Sequence, residues 1–485
     1  MSIDHYSTAT AMLAALRRRE ISSTELMDMH IARIEEHDAK LNAIPVRTFD
    51  RARQAAQQAD KRIAAGKAAP LLGLPITLKE STMVAGLPQS AGILAFKDYR
   101  PAIDGPIATR VFGAGAGLLG KTNIPVALRD WQADSPVYGR TNNPWDVSRT
   151  PGGSTGGGGA ALAAGLTPLE VGSDIGGSIR VPAAFCGVYG HRPSETAIPK
   201  SGRFPHADLP NPVSLMGVQG PLARSAFDLE LLFEVLMGPE PGEEVGWTLT
   251  LPPARHQRLA DFRVALLPPL LGVKVSANMQ ARLEELAQFL SRAGTKVAEA
   301  APGFDLKEYY YDYLRLLAVM TTIRLPREQR EVQAATLRQA GHPATLARAQ
   351  GLEMDAAGYV RLVARRERTR VAWRAFFREW DVVLAPMTLD VAFPHQEAAF
   401  EERRLTVDNQ SLPYRANNLY AMPAIFAGLP STAFPGGLSE AGLPLGLQAI
   451  GPYLEDRTTL KFAQLVEEAW YRFEPPPAYC GATRG

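Results

Sequence analysis

Two serines set in glycine-rich segments and one lysine are the residues of this chain best suited to covalent chemistry. Gly152-Gly153-Ser154-Thr155-Gly156-Gly157 is followed, 24 positions after its serine, by Asp174-Ile175-Gly176-Gly177-Ser178-Ile179-Arg180, and Lys79 stands upstream in Pro75-Ile76-Thr77-Leu78-Lys79-Glu80. A serine hydroxyl is a poor nucleophile at neutral pH and needs a base within hydrogen-bond reach. A lysine is that base only if burial lowers its pKa from the ordinary value near ~10.4. With little side-chain bulk at Gly176 and Gly177, successive backbone N–H groups of Ile175 to Ser178 can turn toward one point beside the Ser178 hydroxyl. Such donors stabilise a tetrahedral oxyanion by roughly 2.7–4 kcal/mol each. Nucleophile, proton relay, base and oxyanion donors together read as an acyl-transfer centre.

This pattern resembles the amidase signature family, whose hallmark is a Gly/Ser-rich stretch of about this length carrying a Ser–cisSer–Lys triad. The resemblance implies Ser178 as nucleophile, Ser154 as bridging serine with a cis peptide after Gly153, Lys79 as base, and oxyanion donors at Ile175, Gly176, Gly177 and Ser178. Further resembling segments are Ile21-Ser22-Ser23-Thr24-Glu25-Leu26, Gly120-Lys121-Thr122-Asn123, Asn143-Pro144-Trp145-Asp146, Val181-Pro182-Ala183-Ala184-Phe185-Cys186-Gly187 and Gly442-Leu443-Pro444-Leu445-Gly446-Leu447-Gln448. Coverage is nearly the whole chain and thins between 235 and 380. Thr155 stands where the family usually has a second serine, and His191-Arg192-Pro193 where many members have leucine and lysine.

Other motif readings fit less well. Gly152-Gly153-Ser154-Thr155-Gly156 satisfies G-x-S-x-G, but a nucleophile elbow must follow a strand, and the preceding Pro144–Pro151 stretch is a proline-bounded polar loop. A phosphate-binding loop needs Lys-Ser or Lys-Thr after its last glycine, whereas Gly159 runs into alanines. The eight histidines show no metal-ligand spacing, and His191 and His206 read as core or surface residues rather than site residues. No metal and no cofactor are expected.

Lys79 gains from its flank, because Leu71–Leu78 is an apolar run of strand type and its end is a place where a lysine can be desolvated. Similar short strands are expected at Leu74–Leu78, Leu118–Lys121, Leu169–Gly172, Phe262–Leu267 and Val382–Ala385. Helices are expected over Thr8–Arg19, Ser22–His37 (opened by a Ser22/Glu25 capping box), Arg51–Ala65, Asn278–Ala293, Leu306–Met320, Arg327–Ala340 and Ala357–Trp380. Alternation of this kind argues an α/β fold. The resemblance implies one large domain over 1–485, with a central mixed twisted sheet covered by helices. A mostly helical region at about 275–380, where the resemblance is weakest, is expected to shape the substrate pocket.

With 46% apolar and 21% charged residues the chain can bury a large core, and a net charge of +2 offers no basic field for nucleic acid. Two cysteines far apart exclude a disulfide framework and suit a reducing compartment. No apolar signal core opens the chain and no apolar run reaches membrane-spanning length, so a cytoplasmic protein with no membrane partner is expected. A homodimer is left open.

The expected function is a serine amidohydrolase working through an acyl-enzyme on Ser178. The family acts on primary, aryl, fatty and peptide amides and some carbamates, and the triad does not sort them. Trp131 and Tyr138, between Asn123 and Asn143, are taken as pocket residues, which favours aryl amides, aryl esters and aryl carbamates (urethanes) over a charged substrate such as glutamine. One alternative is the glutaminase subunit of a glutamyl-tRNA amidotransferase, which resembles this family but carries a Tyr-x-x-Asp segment where this chain has Tyr414-Arg415-Ala416-Asn417. The other is a non-catalytic binding module with the same fold.

Overall fold

The site stands at the C-terminal ends of two adjacent parallel strands near one end of a large mixed sheet. The computed structural model describes residues 3–204 and 214–480, so His206 lies outside the described residues. Eleven strands make the sheet: Val46–Arg47 (β1), Pro75–Lys79 (β2), Gly117–Thr122 (β3), Leu169–Asp174 (β4), Tyr189–Arg192 (β5), Val218–Ala223 (β6), Arg263–Leu266 (β7), Lys296–Glu299 (β8), Val382–Pro386 (β9), Ser431–Leu438 (β10) and Pro444–Ile450 (β11). Their order across it is β1-β3-β2-β4-β6-β5-β10-β11-β9-β7-β8. Parallel pairing joins β3 to β2 and β2 to β4 at one end, and β9 to β7 and β7 to β8 at the other. The strands between are antiparallel.

The five apolar runs expected as strands became β2, β3, β4, β7 and β9. Strands β5, β6, β10 and β11 carry glycines or prolines that break any apolar pattern, and they form the antiparallel centre instead. Close packing explains one of them. A Cβ on Gly446 would lie 2.3 Å from the Ala184 side chain, because the helix Arg180–Cys186 lies directly on β11.

Packing also accounts for the glycine run after Ser154, which forms a helix, Gly156–Ala163, with every residue buried. Glycine is a poor helix former, at about 1 kcal/mol per residue below alanine. Here, however, a Cβ on Gly157 would sit 2.3 Å from the Asn123 nitrogen, and one on Gly158 would sit 2.6 Å from Glu170. The helix is bare so that the sheet can approach it.

The first helix spans Ala9–Arg18, and the second spans Ser23–Leu41 and opens with the expected capping box between Ser22 and Glu25. In the mostly helical region, Ala277–Arg292, Leu306–Thr322, Arg327–Gln339 and Ala356–Phe376 follow the expected helices closely. An additional one, Pro343–Leu352, begins with proline at a first-turn position where its missing N–H costs nothing. Among the described residues no helix is long and apolar enough to cross a membrane.

Candidate active site

Lys79 is the last residue of β2 and Asp174 the last of β4, so parallel pairing of these strands brings the lysine beside the second glycine-rich segment. Lys79 is 1% exposed. Its Nζ lies 2.7 Å from Ser154 Oγ, 3.0 Å from Thr155 Oγ1 and 3.1 Å from Ser173 Oγ. All three partners are neutral hydroxyls, which solvate an amine without forcing it to be charged. Burial is the main cause that lowers the Lys79 pKa, to about 7, with Glu170 and Asp174 pulling upward and Arg203 pushing down. Thr155 supplies one of the three hydroxyls.

The Gly153–Ser154 peptide is cis. A Cβ on Gly153 would meet the Asp130 carbonyl at 2.3 Å, so this backbone passes where only glycine fits. The Thr155 N–H donates to the Ser178 carbonyl at 3.1 Å and ties the two glycine-rich segments together. Ser154 and Ser178 line the same cavity.

The turn from Asp174 to Ser178 is fixed by a buried ionic cluster. Asp174 Oδ1 accepts from the Gly177 N–H at 2.9 Å, and Oδ2 accepts from Arg180 Nε at 3.1 Å and the Ile179 N–H at 3.3 Å. Arg192 donates to the Asp174 carbonyl at 2.9 Å. Burial alone would raise this carboxyl, but Arg180 and Arg192 outweigh it and hold the pKa at about 2. Gly177 takes φ +94°, and its own N–H is occupied by Asp174. The N–H groups of Ile175, Gly176 and Ser178 take no partner among the described residues. Trp131 Nε1 donates to the Gly176 carbonyl at 3.0 Å, so the peptide between Gly176 and Gly177 is held at both its oxygen and its nitrogen.

Two cavity lobes meet at Ser178, of about 240 and 340 Å³, sharing Leu128, Arg129, Ile175, Ser178 and Thr321. The smaller is the more basic, with Lys200 and Arg203 on its wall. In the larger, Trp131, Leu314, Leu317, Leu352 and Phe400 form an apolar surface. Its carboxylates are taken: Asp130 by Arg403 and the Tyr414 hydroxyl, and Glu401 by Arg348 and Arg415. The helix Leu306–Thr322 contributes to both lobes.

Of the two aromatic residues expected in the pocket, Trp131 lines the larger lobe and Tyr138 lines neither. The Tyr138 hydroxyl donates to Glu80 Oε1 at 2.7 Å, so the residue buttresses the loop after β2. His191 is buried between Thr432 and Asp456, away from both lobes.

Sequence reasoning missed Glu170, buried behind Lys79 with Oε1 accepting from Thr122 at 2.7 Å and Oε2 unpartnered among the described residues. Burial raises its carboxyl to about 7. Its place on β4, four residues before Asp174, was the available signal, since an acid inside an apolar strand is uncommon. Arg129 at the junction of the lobes was missed as well.

The chain is similar over most of its length to known proteins. Residues 25–460 match the family model described as Amidase. A glutamyl-tRNA(Gln) amidotransferase subunit of Synechococcus sp. (strain CC9605) is 31% identical over 504 residues, covering 97% of this chain and 98% of that protein. The indoleacetamide hydrolase of Bradyrhizobium diazoefficiens is 32% identical over 452 residues, covering 93% of this chain and 84% of its own. Among solved structures, a bacterial aryl acylamidase of the amidase signature family superposes with a TM-score of 0.77 at 25% identity, covering 97% of each chain.

Proposed function

Because the chain belongs to the amidase signature family, we propose that it is a serine amidohydrolase that cleaves amides through an acyl-enzyme on Ser178. The observation that carries this reading is the buried Lys79 Nζ, 2.7 Å from Ser154 Oγ with its pKa lowered to about 7, beside a cavity that Ser154 and Ser178 share. In the proposed reaction, neutral Lys79 takes the Ser154 proton as Ser154 takes that of Ser178, and Ser178 Oγ bonds to the substrate carbonyl carbon. The oxyanion is received by the free N–H groups of Ile175, Gly176 and Ser178, with Gly177 fixing the turn. The C–N bond breaks as Ser154 gives a proton to the leaving amine and regains one from protonated Lys79, which leaves Lys79 neutral for the second half-reaction. Water then repeats the path, releasing the acid and restoring Ser178.

Aryl amides, aryl esters and aryl carbamates are the proposed substrate class. The apolar wall of the larger lobe supports it. Two relatives bear names that point the same way, an indoleacetamide hydrolase and an aryl acylamidase. Against free glutamine, Asp130, Asp174 and Glu401 are each engaged by arginine, leaving no carboxylate among these lining residues to receive an α-ammonium group. The similarity to amidotransferase subunits keeps a second reading in view, although an uncharged Asn417 follows Tyr414 at the third position.

A panel of nitroanilides, nitrophenyl esters, aryl carbamates and glutamine, run on the wild type and Ser178→Ala, tests both readings. Aryl substrates are expected to be turned over and Ser178→Ala to abolish that turnover. A variant keeping more than about 1% of wild-type kcat would remove Ser178 as nucleophile, since loss of a nucleophile costs orders of magnitude. Preferred release of ammonia from glutamine, or co-purification with partner subunits, would favour the amidotransferase reading. Absence of labelling by a serine-reactive fluorophosphonate would favour a non-catalytic module.

A further inference from the structure

Arg129 lines both lobes beside Ser178, and its side chain makes no hydrogen bond or ion pair among the described residues. That sets it apart from its charged neighbours. Lys200 is paired with Glu195 at 3.0 Å, Arg203 donates to Ser214 Oγ at 3.0 Å, and Arg348 and Arg415 share Glu401. Arg129 is open to solvent at the mouth, yet enough protein surrounds its guanidinium that burial lowers its pKa, and no charged neighbour offsets the effect.

The backbone that presents this residue is unusual. Ala127 and Leu128 are consecutive non-glycine residues at φ +52° and +61°, a conformation L side chains rarely adopt. Hydrogen bonds hold the turn, from the Ala127 N–H to the Ala91 carbonyl at 2.7 Å, from Leu128 to Pro125 and from Arg129 to Val126. Costly backbone conformations persist where the surrounding structure enforces them, and they cluster at ligand clamps. Here the enforced turn puts Leu128 and Arg129 on the wall that divides the lobes.

We propose that Arg129 is a specificity-determining residue that receives a carboxylate carried by the substrate within reach of the scissile carbonyl. A guanidinium matches a carboxylate through two parallel N–H···O bonds, and at a partly desolvated site such a pair is worth more than on an open surface. Every carboxylate lining the lobes is already engaged, so none competes for Arg129 from inside the cavity. The substrate class this adds is an aryl amide bearing a carboxylate on its acyl or its amine portion, and it rests on the amidohydrolase reading above.

Four anilides separate the possibilities. Succinanilic acid carries the charge on the acyl side and 4-acetamidobenzoate on the amine side, with pentananilide and 4-methylacetanilide as neutral counterparts. One charged member is expected to exceed its counterpart in kcat/KM by at least about tenfold in the wild type. Arg129→Met should bring that ratio to near unity, Arg129→Glu should invert it, and Arg129→Lys should keep part of it. The same charged anilide should bind to Ser178→Ala by calorimetry and lose that binding in Ser178→Ala/Arg129→Met. An unchanged ratio in Arg129→Met, or no charged preference in the wild type, overturns the assignment. If no anilide is hydrolysed at all, the amidohydrolase reading fails and calorimetry decides Arg129 alone. Charged anilides bound through Arg129 then support it, and equal binding or none overturns it.

Discussion

If Lys79 is the base, the enzyme's rate must follow the loss of its proton. An ordinary lysine at 10.5 would be unprotonated in about 0.03% of molecules at pH 7, whereas a pKa of about 7 leaves about half of them ready. Burial therefore increases the competent fraction by roughly 10³, equivalent to about 4 kcal/mol at 1.36 kcal/mol per factor of ten. The sign is fixed by which form works. The protonated lysine is inactive, so log kcat/KM should climb with a slope near one below about pH 7 and level off above it.

The assay is kcat/KM for a nitroanilide from about pH 5.5 to 9.5, with Lys79→Ala and Lys79→Arg in parallel. Both variants should lose about 10²–10⁴ in rate. Arginine keeps the charge but cannot surrender its proton at usable pH, so it should not rescue. A flat profile between about pH 6 and 9, or an active arginine variant, would assign the proton to another group.

Three further outcomes follow from the same geometry. Glu170→Gln removes a negative charge that pulls the Lys79 pKa upward, so the inflection in the rate profile should move to lower pH; a profile that loses its inflection would mean that Glu170 is the titrating group. Trp131→Phe keeps the ring but releases the Gly176 carbonyl, and kcat should fall by about 2–10-fold, the worth of one hydrogen bond, with KM little changed. A rise in KM alone would make Trp131 only a pocket wall. Gly157→Ala tests the packing account of the bare helix: propensity predicts stabilisation by about 1 kcal/mol, but a methyl 2.3 Å from the Asn123 nitrogen should cost more than that and lower Tm by several degrees.

What was legible in the sequence was local. The strand that delivers Lys79 is a continuous apolar run, and the capping box at Ser22 and Glu25 is a pair three residues apart. Glycine at 152, 153, 176 and 177 signalled a backbone needing room, and the cis peptide and the positive φ of Gly177 are consistent with that demand. The antiparallel centre was not legible, because β6 includes Gly220-Pro221 and β10 includes Pro435-Gly436-Gly437, and neither has the alternation that marks a half-buried strand. Tyr138 was misplaced because nothing within its own segment reveals that its partner is Glu80, 58 residues upstream. Arg129 was missed for the opposite reason: its significance lies in lacking a partner, which only a three-dimensional inventory of charges can reveal.

That inventory also explains how a neutral lysine and a basic cavity coexist. The charged groups that act on Lys79 are Glu170, Asp174 and Arg203. Asp174 is neutralised by Arg180 and Arg192, and Glu170 is itself pushed up to about 7, so near neutrality only about half of its negative charge remains to hold a proton on the amine. Arg129 is not among the groups that act on Lys79, and Lys79 is not among those that act on Arg129. On the proposed binding mode, the Arg129 guanidinium offsets the charge of a bound carboxylate, and the Lys79 inflection in the rate profile should be the same for charged and neutral anilides.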